Sequence, residues 1–314
     1  MNFSEIFINQ FGRIRSGWRF TIFLLAFIFF VILFGGAAGL ILSALAVDFR
    51  SGSLLYIVVS SSISLGLALL LGWLCGKFLE DLPFRALGAW FTENWLKDLI
   101  AGLLIGAFTL CLAVLIAVSF GGLNFNFNQN HGISAILLTS ITSLAVFAVA
   151  AAFEEALFRG YILQTFSRAN LAWLAIILTS LFFAAAHLQN SGANYISSIN
   201  TGLAGIWFGA AYMKTRNLWL PFGLHLIWNW LQGAIFGIEV SGIKDFATAP
   251  LLLEIDTGPA WLTGGDYGIE GGIVCTVTII FSTVLIWFVP FLKPTNEMLA
   301  LTSEEKPVNE NLKI

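Results

Sequence analysis

Charge is scarce in this chain of 314 residues: Asp, Glu, Lys and Arg together make up 11% of it, against 58% hydrophobic residues. A soluble domain carries about 25% charged and about 45–50% apolar residues, so this composition is that of a polytopic membrane protein. The net charge of −3 leaves no positive surplus for nucleic acid. Cysteine is equally sparse. Cys75, Cys111 and Cys275 lie in apolar segments at unrelated spacings, which excludes a disulfide framework and a cysteine metal motif. Histidine occurs three times. In a chain so poor in polar groups, each one inside an apolar run needs a physical reason.

What is present is a succession of apolar runs, read as an all-α, polytopic transmembrane helix bundle. Residues 1–19 form a short polar-to-amphipathic segment with Arg13, Arg15 and Arg19. The run from Phe20 to about Val47 is far longer than a signal-peptide core of about 7–15 residues. About 20 apolar residues cross the hydrocarbon. Further spans are therefore expected at Leu54–Gly76, Leu99–Phe120, Ile133–Phe166, Leu171–His187, Ile196–Met213, Leu218–Ile238 and Gly271–Leu292, about eight in all. The Lys77–Lys97 connector, with Trp90, Phe91 and Trp95, suits an interfacial helix. Residues 20–292 read as one transmembrane domain with a core over about 84–230, and 293–314 as a polar, flexible tail.

With the amino terminus placed in the cytoplasm, only Arg50 and Lys244 of the 15 Lys and Arg fall outside. That satisfies the positive-inside rule and predicts both termini in the cytoplasm of a multi-pass protein of a bacterial plasma membrane. The Val240–Glu270 connection, rich in Asp, Glu, Gly and Pro, falls on the outer side.

The chain is organised around Phe153-Glu154-Glu155-Ala156-Leu157-Phe158-Arg159-Gly160. A carboxylate at membrane depth is costly and marks a functional site by default. On a helix, Glu155 and Arg159 share a face at i, i+4, while Glu154 points about 100° away. Arg159 can therefore neutralise Glu155 and leave Glu154 free. A snorkelling Glu-Arg pair at a helix end is the bland alternative. Further along, His187 ends an apolar run with Phe183 one turn before it, and His225 and Asn229 face one way at i, i+4. If the chain turns near Asn170, Glu154 lies 16 residues before the turn and His187 lies 17 after it, at about the same depth. Glu154, His187, His225 and Asn229 are thus expected to meet in one buried cavity entered from the cytoplasmic side. His131, in a polar loop, is given no role.

A carboxylate and a neutral imidazole can take a proton from a water attacking a carbonyl. A second imidazole and an amide NH₂ can bind the oxyanion. The same Glu154, His187 and His225 would also make the two-His, one-carboxylate set of a hydrolytic zinc site. The helical His-Glu-x-x-His spacing of that class is absent, so the expectation is no metal cofactor, with zinc as the alternative.

The ordered set Glu154-Glu155-x-x-x-Arg159, Phe183-x-x-x-His187 and His225-x-x-x-Asn229 resembles the CAAX protease and bacteriocin-processing (CPBP, or Abi) family. These are intramembrane glutamic endopeptidases related to the Ras-converting CAAX endopeptidase (CAAX prenyl protease 2). The resemblance covers about Phe84–Trp230, and Arg15-Ser16-Gly17-Trp18-Arg19 also looks like bacterial members. It implies that Glu154 and His187 activate water, that His225 and Asn229 form the oxyanion site, and that Glu155, Arg159 and Phe183 support them. The partners it implies are a peptide or membrane-protein substrate and the lipid bilayer, with cleavage of a CAAX or leader-peptide type. Two other readings remain: a non-catalytic scaffold or bacteriocin self-immunity protein on the same fold, and a transporter with a Glu154–His187 proton relay. No inverted repeat supports the transporter.

Overall fold

The computed structural model describes residues 3–303 except 48, 50–52 and 244–245. Its principal helices are α1 Ser16–Ala44, α2 Leu54–Glu80, α3 Trp95–Ser119, α4 Ile133–Glu155, α5 Ala172–His187, α6 Tyr195–Thr215, α7 Trp219–Trp230 and α8 Ile273–Phe288. Among the described residues, four helical stretches are long and apolar enough to cross a membrane: Ser16–Ala44, Leu54–Glu80, Trp95–Ser119 and Ile133–Arg168. α5 and α8 are apolar but have 16 residues each, about 24 Å of helix against about 30 Å of hydrocarbon.

These helices are apolar on nearly every side, so periodicity does not select the packed face; small residues do. α3 and α7 cross where Gly102 meets the Leu220 carbonyl and Gly223 meets the Leu99 carbonyl, each too close to admit a Cβ. That approach fixes the height of α7 in the bundle. One hydrophobic core gathers Leu110, Phe183, Trp207, Phe208, Leu224 and Ile279, and a second gathers Phe23, Leu71, Tyr161 and Phe166. Phe158 packs against both, at the seam where the site lies.

The two ends of the bundle differ in charge. At one end Arg19 Nη1 lies 2.6 Å from Glu80 Oε2, and Arg168 donates from Nε to the same oxygen at 2.9 Å. Thr165 Oγ1 donates to Glu80 Oε1 at 3.0 Å. Arg13–Asp81 and Arg85–Glu297 pairs, and bonds from Lys97 to the Phe291 carbonyl and from Lys214 to the Trp287 carbonyl, lie at this same end. At the other end β1 Leu123–Phe127 pairs antiparallel with β2 Leu252–Asp256, Leu123 opposite Asp256. The 188–194 and 237–272 connections lie there too. They meet at Gly242, where φ is +77° and a Cβ would collide with the Ser191 carbonyl oxygen.

Several expectations are corrected. The Lys77–Lys97 connector is not an interfacial helix: α2 runs on to Glu80, then Pro83 and the left-handed Gly88 confine it to a single turn, Phe84–Leu87. Its aromatics instead stack on Trp219. The tail is not uniformly loose, because Asn296–Thr302 is a helix capped by Thr295, with Met298 fully buried. The polar loop that holds His131 follows directly on β1, Leu123–Phe127, whose partner lies too far along the sequence for local pattern to reveal. Arg50 and Lys244 lie outside the described residues.

Candidate active site

Four elements build the site. α4 runs to Glu155 and gives way to a π-helical turn over Ala156–Ile162, with Gly160 departing from helical geometry at ψ −111°. π turns inside α-helices concentrate at functional sites. This one carries Arg159 inward: Nη1 donates to Glu155 Oε1 at 3.1 Å and Nη2 to the Gly205 carbonyl of α6 at 3.1 Å. The guanidinium lies over the rings of Phe158, Phe183 and Phe208, 5.6, 5.1 and 5.1 Å from their centroids. Both members of the pair are buried. The i, i+4 pairing read from the sequence holds, and Phe183 has a definite place as part of the aromatic seat under the cation.

α7 brings His225 against the same carboxylate. Its Nδ1 lies 3.0 Å from Glu155 Oε1, and its Nε2 lies 3.6 Å from Glu154 Oε2. The ring is sandwiched on Phe208, 4.7 Å between centroids at 15°. Both ring nitrogens thus face carboxylate oxygens, which is satisfied when both carry hydrogen. Glu154 differs from its neighbour: its side chain is 24% exposed, against 1% for Glu155. Among the described residues, its Oε2 has no hydrogen-bond partner.

His187 closes α5. Its Nδ1 lies 2.8 Å from the Phe183 carbonyl oxygen one turn back. A carbonyl only accepts, so Nδ1 carries the hydrogen and Nε2 of the neutral ring keeps its lone pair. Glu154, His187, His225 and Asn229 all line a cavity of about 100 Å³, room for a few waters. The four motif residues therefore converge. Among the described residues, no group of three or more His, Cys, Asp or Glu side chains is disposed to hold a metal ion.

The cavity also has walls that motif reasoning missed. Asn190, Ser241 and Glu270 line it from the 188–194 and 237–272 connections. Glu270 accepts from Trp228 Nε1 at 3.1 Å and from the amide and hydroxyl of Ser241, each at 2.7 Å. Asn190 Nδ2 donates to the Ser241 carbonyl at 2.9 Å, and Asn200 Nδ2 to the Glu270 carbonyl at 2.7 Å. Burial pushes the Glu270 carboxyl above the usual carboxylate range, and the hydrogen bonds from Ser241 draw it part of the way back. The acids of this connection were visible in the sequence, but only as outer-side charge. Glu270 had one signal of its own: it stands immediately before the last apolar run.

The sequence reading placed the turn between the helices of Glu154 and His187 near Asn170. Counting residues from that turn put Glu154 and His187 level with one another, which is consistent with both lining one cavity. The apolar run also ended the expected span Leu171–His187 where α5 ends; what it did not show is that loops complete the wall beyond it.

Residues 136–231 match the family model of Rce1-like type II CAAX prenyl endopeptidases. An uncharacterized 24.3 kDa protein of Escherichia coli is 31% identical over 145 residues, 46% of this chain. The match spans 63% of that relative's length. No solved structure matches the chain. The matched segment contains every residue of the three motifs, and residues 136–231 are thus an Rce1-like, CAAX-protease-type segment.

Proposed function

We propose that this protein is an intramembrane endopeptidase that hydrolyses a peptide bond with water activated by Glu154 and His187. The observation that carries the reading is the pairing of two bases in one cavity. Among the described residues, Glu154 Oε2 accepts no hydrogen bond, with His225 Nε2 3.6 Å away, and the Nδ1 bond of a neutral His187 to the Phe183 carbonyl leaves a lone pair on Nε2. A water between them gives a proton to one of these bases as its oxygen bonds the carbonyl carbon, and that proton passes to the leaving nitrogen as the C–N bond breaks. His225 Nε2–H and the Asn229 amide then donate to the oxyanion, while Glu155 and Arg159 hold His225 in register. No Ser or Cys enters the step, so no covalent intermediate forms.

The metal-free form is favoured over zinc because the sequence lacks the helical His-Glu-x-x-His spacing. The scaffold or immunity reading gives no reason for two bases, Glu154 and His187, to line one cavity. About eight passes, with the Arg13–Arg19 segment and Lys293 in the cytoplasm of a bacterial plasma membrane, complete the reading. It is supported by the gathering of Lys and Arg at one end of the bundle.

The test compares membrane proteomes of cells carrying wild-type and Glu154→Ala protein. A cleaved product that depends on Glu154 is expected; the absence of any such product overturns the enzyme reading. Purified active protein should keep its turnover under chelation. Stoichiometric zinc, with activity lost to chelators and restored by zinc alone, overturns the metal-free mechanism.

A further inference from the structure

The Arg15-Ser16-Gly17-Trp18-Arg19 run takes no part in the motif cavity, yet it is heavily committed at the start of α1. Arg15 Nε donates to the Glu5 carbonyl at 2.7 Å, and Trp18 Nε1 donates to the Ile6 carbonyl at 3.1 Å. Trp18 also stacks on Phe7, 5.1 Å between centroids. Asn9 Oδ1 accepts from the amides of Phe11 and Arg13, each at 3.0 Å, and Ile8 bridges Ile14. The segment before α1 is thus a fixed hook held against the helix start.

Between this hook and the 166–174 turn lies a crevice of about 960 Å³. Arg15 and Arg168 line it, and among the described residues no Asp or Glu does. Three kinds of donor meet an anion there. Arg15 is exposed, and no acid of the described residues pairs with it. Arg168 has a side chain only 3% exposed; its Nε and Nη2 go to Glu80, while its Nη1 is buried with no hydrogen bond among the described residues. Ser16 and Gly17 begin α1, where backbone amides have no acceptor within the helix, and Arg15 in the capping position makes no side-chain cap. A helix amino end favours an anion, and guanidinium groups beside it suit phosphate oxygens.

The rest of the lining is apolar: Trp18, Phe166, Leu171 and Leu174. Beyond Trp18, α1 turns Ile22, Leu25 and Phe29 outward, all exposed, on a helix long enough to cross a membrane. Trp18 and Trp173, both exposed, flank the opening, as tryptophans do at headgroup level. A free anion would use only the cationic part of this surface. A headgroup with acyl chains uses all of it.

We propose that this crevice is a binding site for an anionic phospholipid. Its phosphodiester lies against Arg15, Arg168 and the first-turn amides of α1, and its acyl chains lie along the outward face of α1. Bound there, the lipid clamps α1 to the turn that follows the π-helical segment. The site depends neither on the endopeptidase reading nor on which membrane face the hook occupies.

The experiment titrates the purified full chain in detergent with phosphatidylglycerol or phosphatidylcholine and counts bound lipid by native mass spectrometry. One phosphatidylglycerol is expected to bind about tenfold or more tightly than phosphatidylcholine, with about fivefold of that preference lost for each charge removed or opposed. Arg15→Gln removes a cation but also the bond to Glu5. Gly17→Glu keeps the bonds of the hook, enters open space and sets a carboxylate where the phosphate would sit. Arg85→Gln, an exposed cation outside the crevice, should leave the preference unchanged, and so should millimolar inorganic phosphate.

No preference in the wild type overturns the proposal. A preference kept in Gly17→Glu overturns it too, whatever Arg15→Gln does, because the anion then does not sit at the helix start. An equal loss in Arg85→Gln means diffuse attraction to the whole end of the bundle and also overturns it. Displacement of phosphatidylglycerol by inorganic phosphate makes the crevice a small-anion site and rules out the lipid.

Discussion

Two clusters of buried charge use the same residue types to different ends. Around Glu80, Arg19 and Arg168 both reach one carboxylate and Thr165 takes the other oxygen, with the Glu80 side chain 2% exposed. Around Glu155, a single Arg159 serves a group that contains two carboxylates and an imidazole. The first cluster sets two cations on one carboxylate and pins α1, α2 and the end of the α4 extension together. The second leaves one carboxylate, Glu154, half-open to a cavity. An acid enclosed by two guanidinium groups is structural; one that shares its cations with a second carboxylate and keeps an exposed face on a cavity is open to a substrate.

The comparison breaks most sharply at Glu154. Glu154→Gln and His187→Ala should each lower turnover of the identified substrate by roughly 10²–10⁴ with unchanged melting temperature, because neither residue holds the fold. Residual turnover within about tenfold of wild type in either variant rules out their role in water activation.

Glu80→Ala should do the opposite, since it leaves Arg19 and Arg168 buried without their acid. A loss of about 3–5 kcal/mol is expected, read as a lower melting temperature in detergent, with turnover per folded molecule preserved. Combining it with Arg19→Met and Arg168→Met should recover much of that stability, as replacing a whole buried ionic cluster often does. Glu155→Ala and Arg159→Ala should lose stability and activity together. A Glu155→Ala protein that melts normally yet is inactive would move Glu155 into the chemistry itself.

Smaller effects sharpen the assignment. Asn229→Ala should cut turnover by roughly two to three orders of magnitude, the usual loss for one oxyanion donor. KM should move little, because that contact strengthens only as charge develops. A large KM change with intact kcat would make Asn229 a substrate-binding group instead. Glu270→Gln should have the mildest consequence, about 1.5–3 kcal/mol of local stability from weakened bonds to Ser241 and Trp228. Faster hydrogen exchange confined to the 237–272 connection would report it, and unchanged exchange there would remove Glu270 from the role of fastening that connection.

Much of this was legible in the sequence because membrane composition makes polar residues conspicuous. Glu154, Glu155, Arg159, His187 and His225 stood out against apolar runs, and helical spacing alone placed Arg159 on Glu155. The helix limits followed from run length, to within a turn at most ends. The Glu80 cluster was not legible, since its partners come from α1 and from the α4 extension, far apart in sequence, and Glu80 sits where a chain normally leaves the membrane. Glu270 and Ser241 were hidden for a related reason. Their positions depend on how a long connection folds back over the bundle, which neither a period of 3.6 nor a charge count describes.

The pairing of Leu123–Phe127 with Leu252–Asp256 sets an order of events during synthesis. The two strands are separated by more than a hundred residues, so the first emerges long before its partner exists. α4 through α7, with every motif side chain, must be made and inserted before β2 can close on β1. Contacts between such distant segments form late. The wall contributed by Asn190, Ser241 and Glu270 is therefore among the last parts of the molecule to assemble, and a nascent chain carries its acids and imidazoles in the bilayer for some time before it has a finished cavity in which to use them.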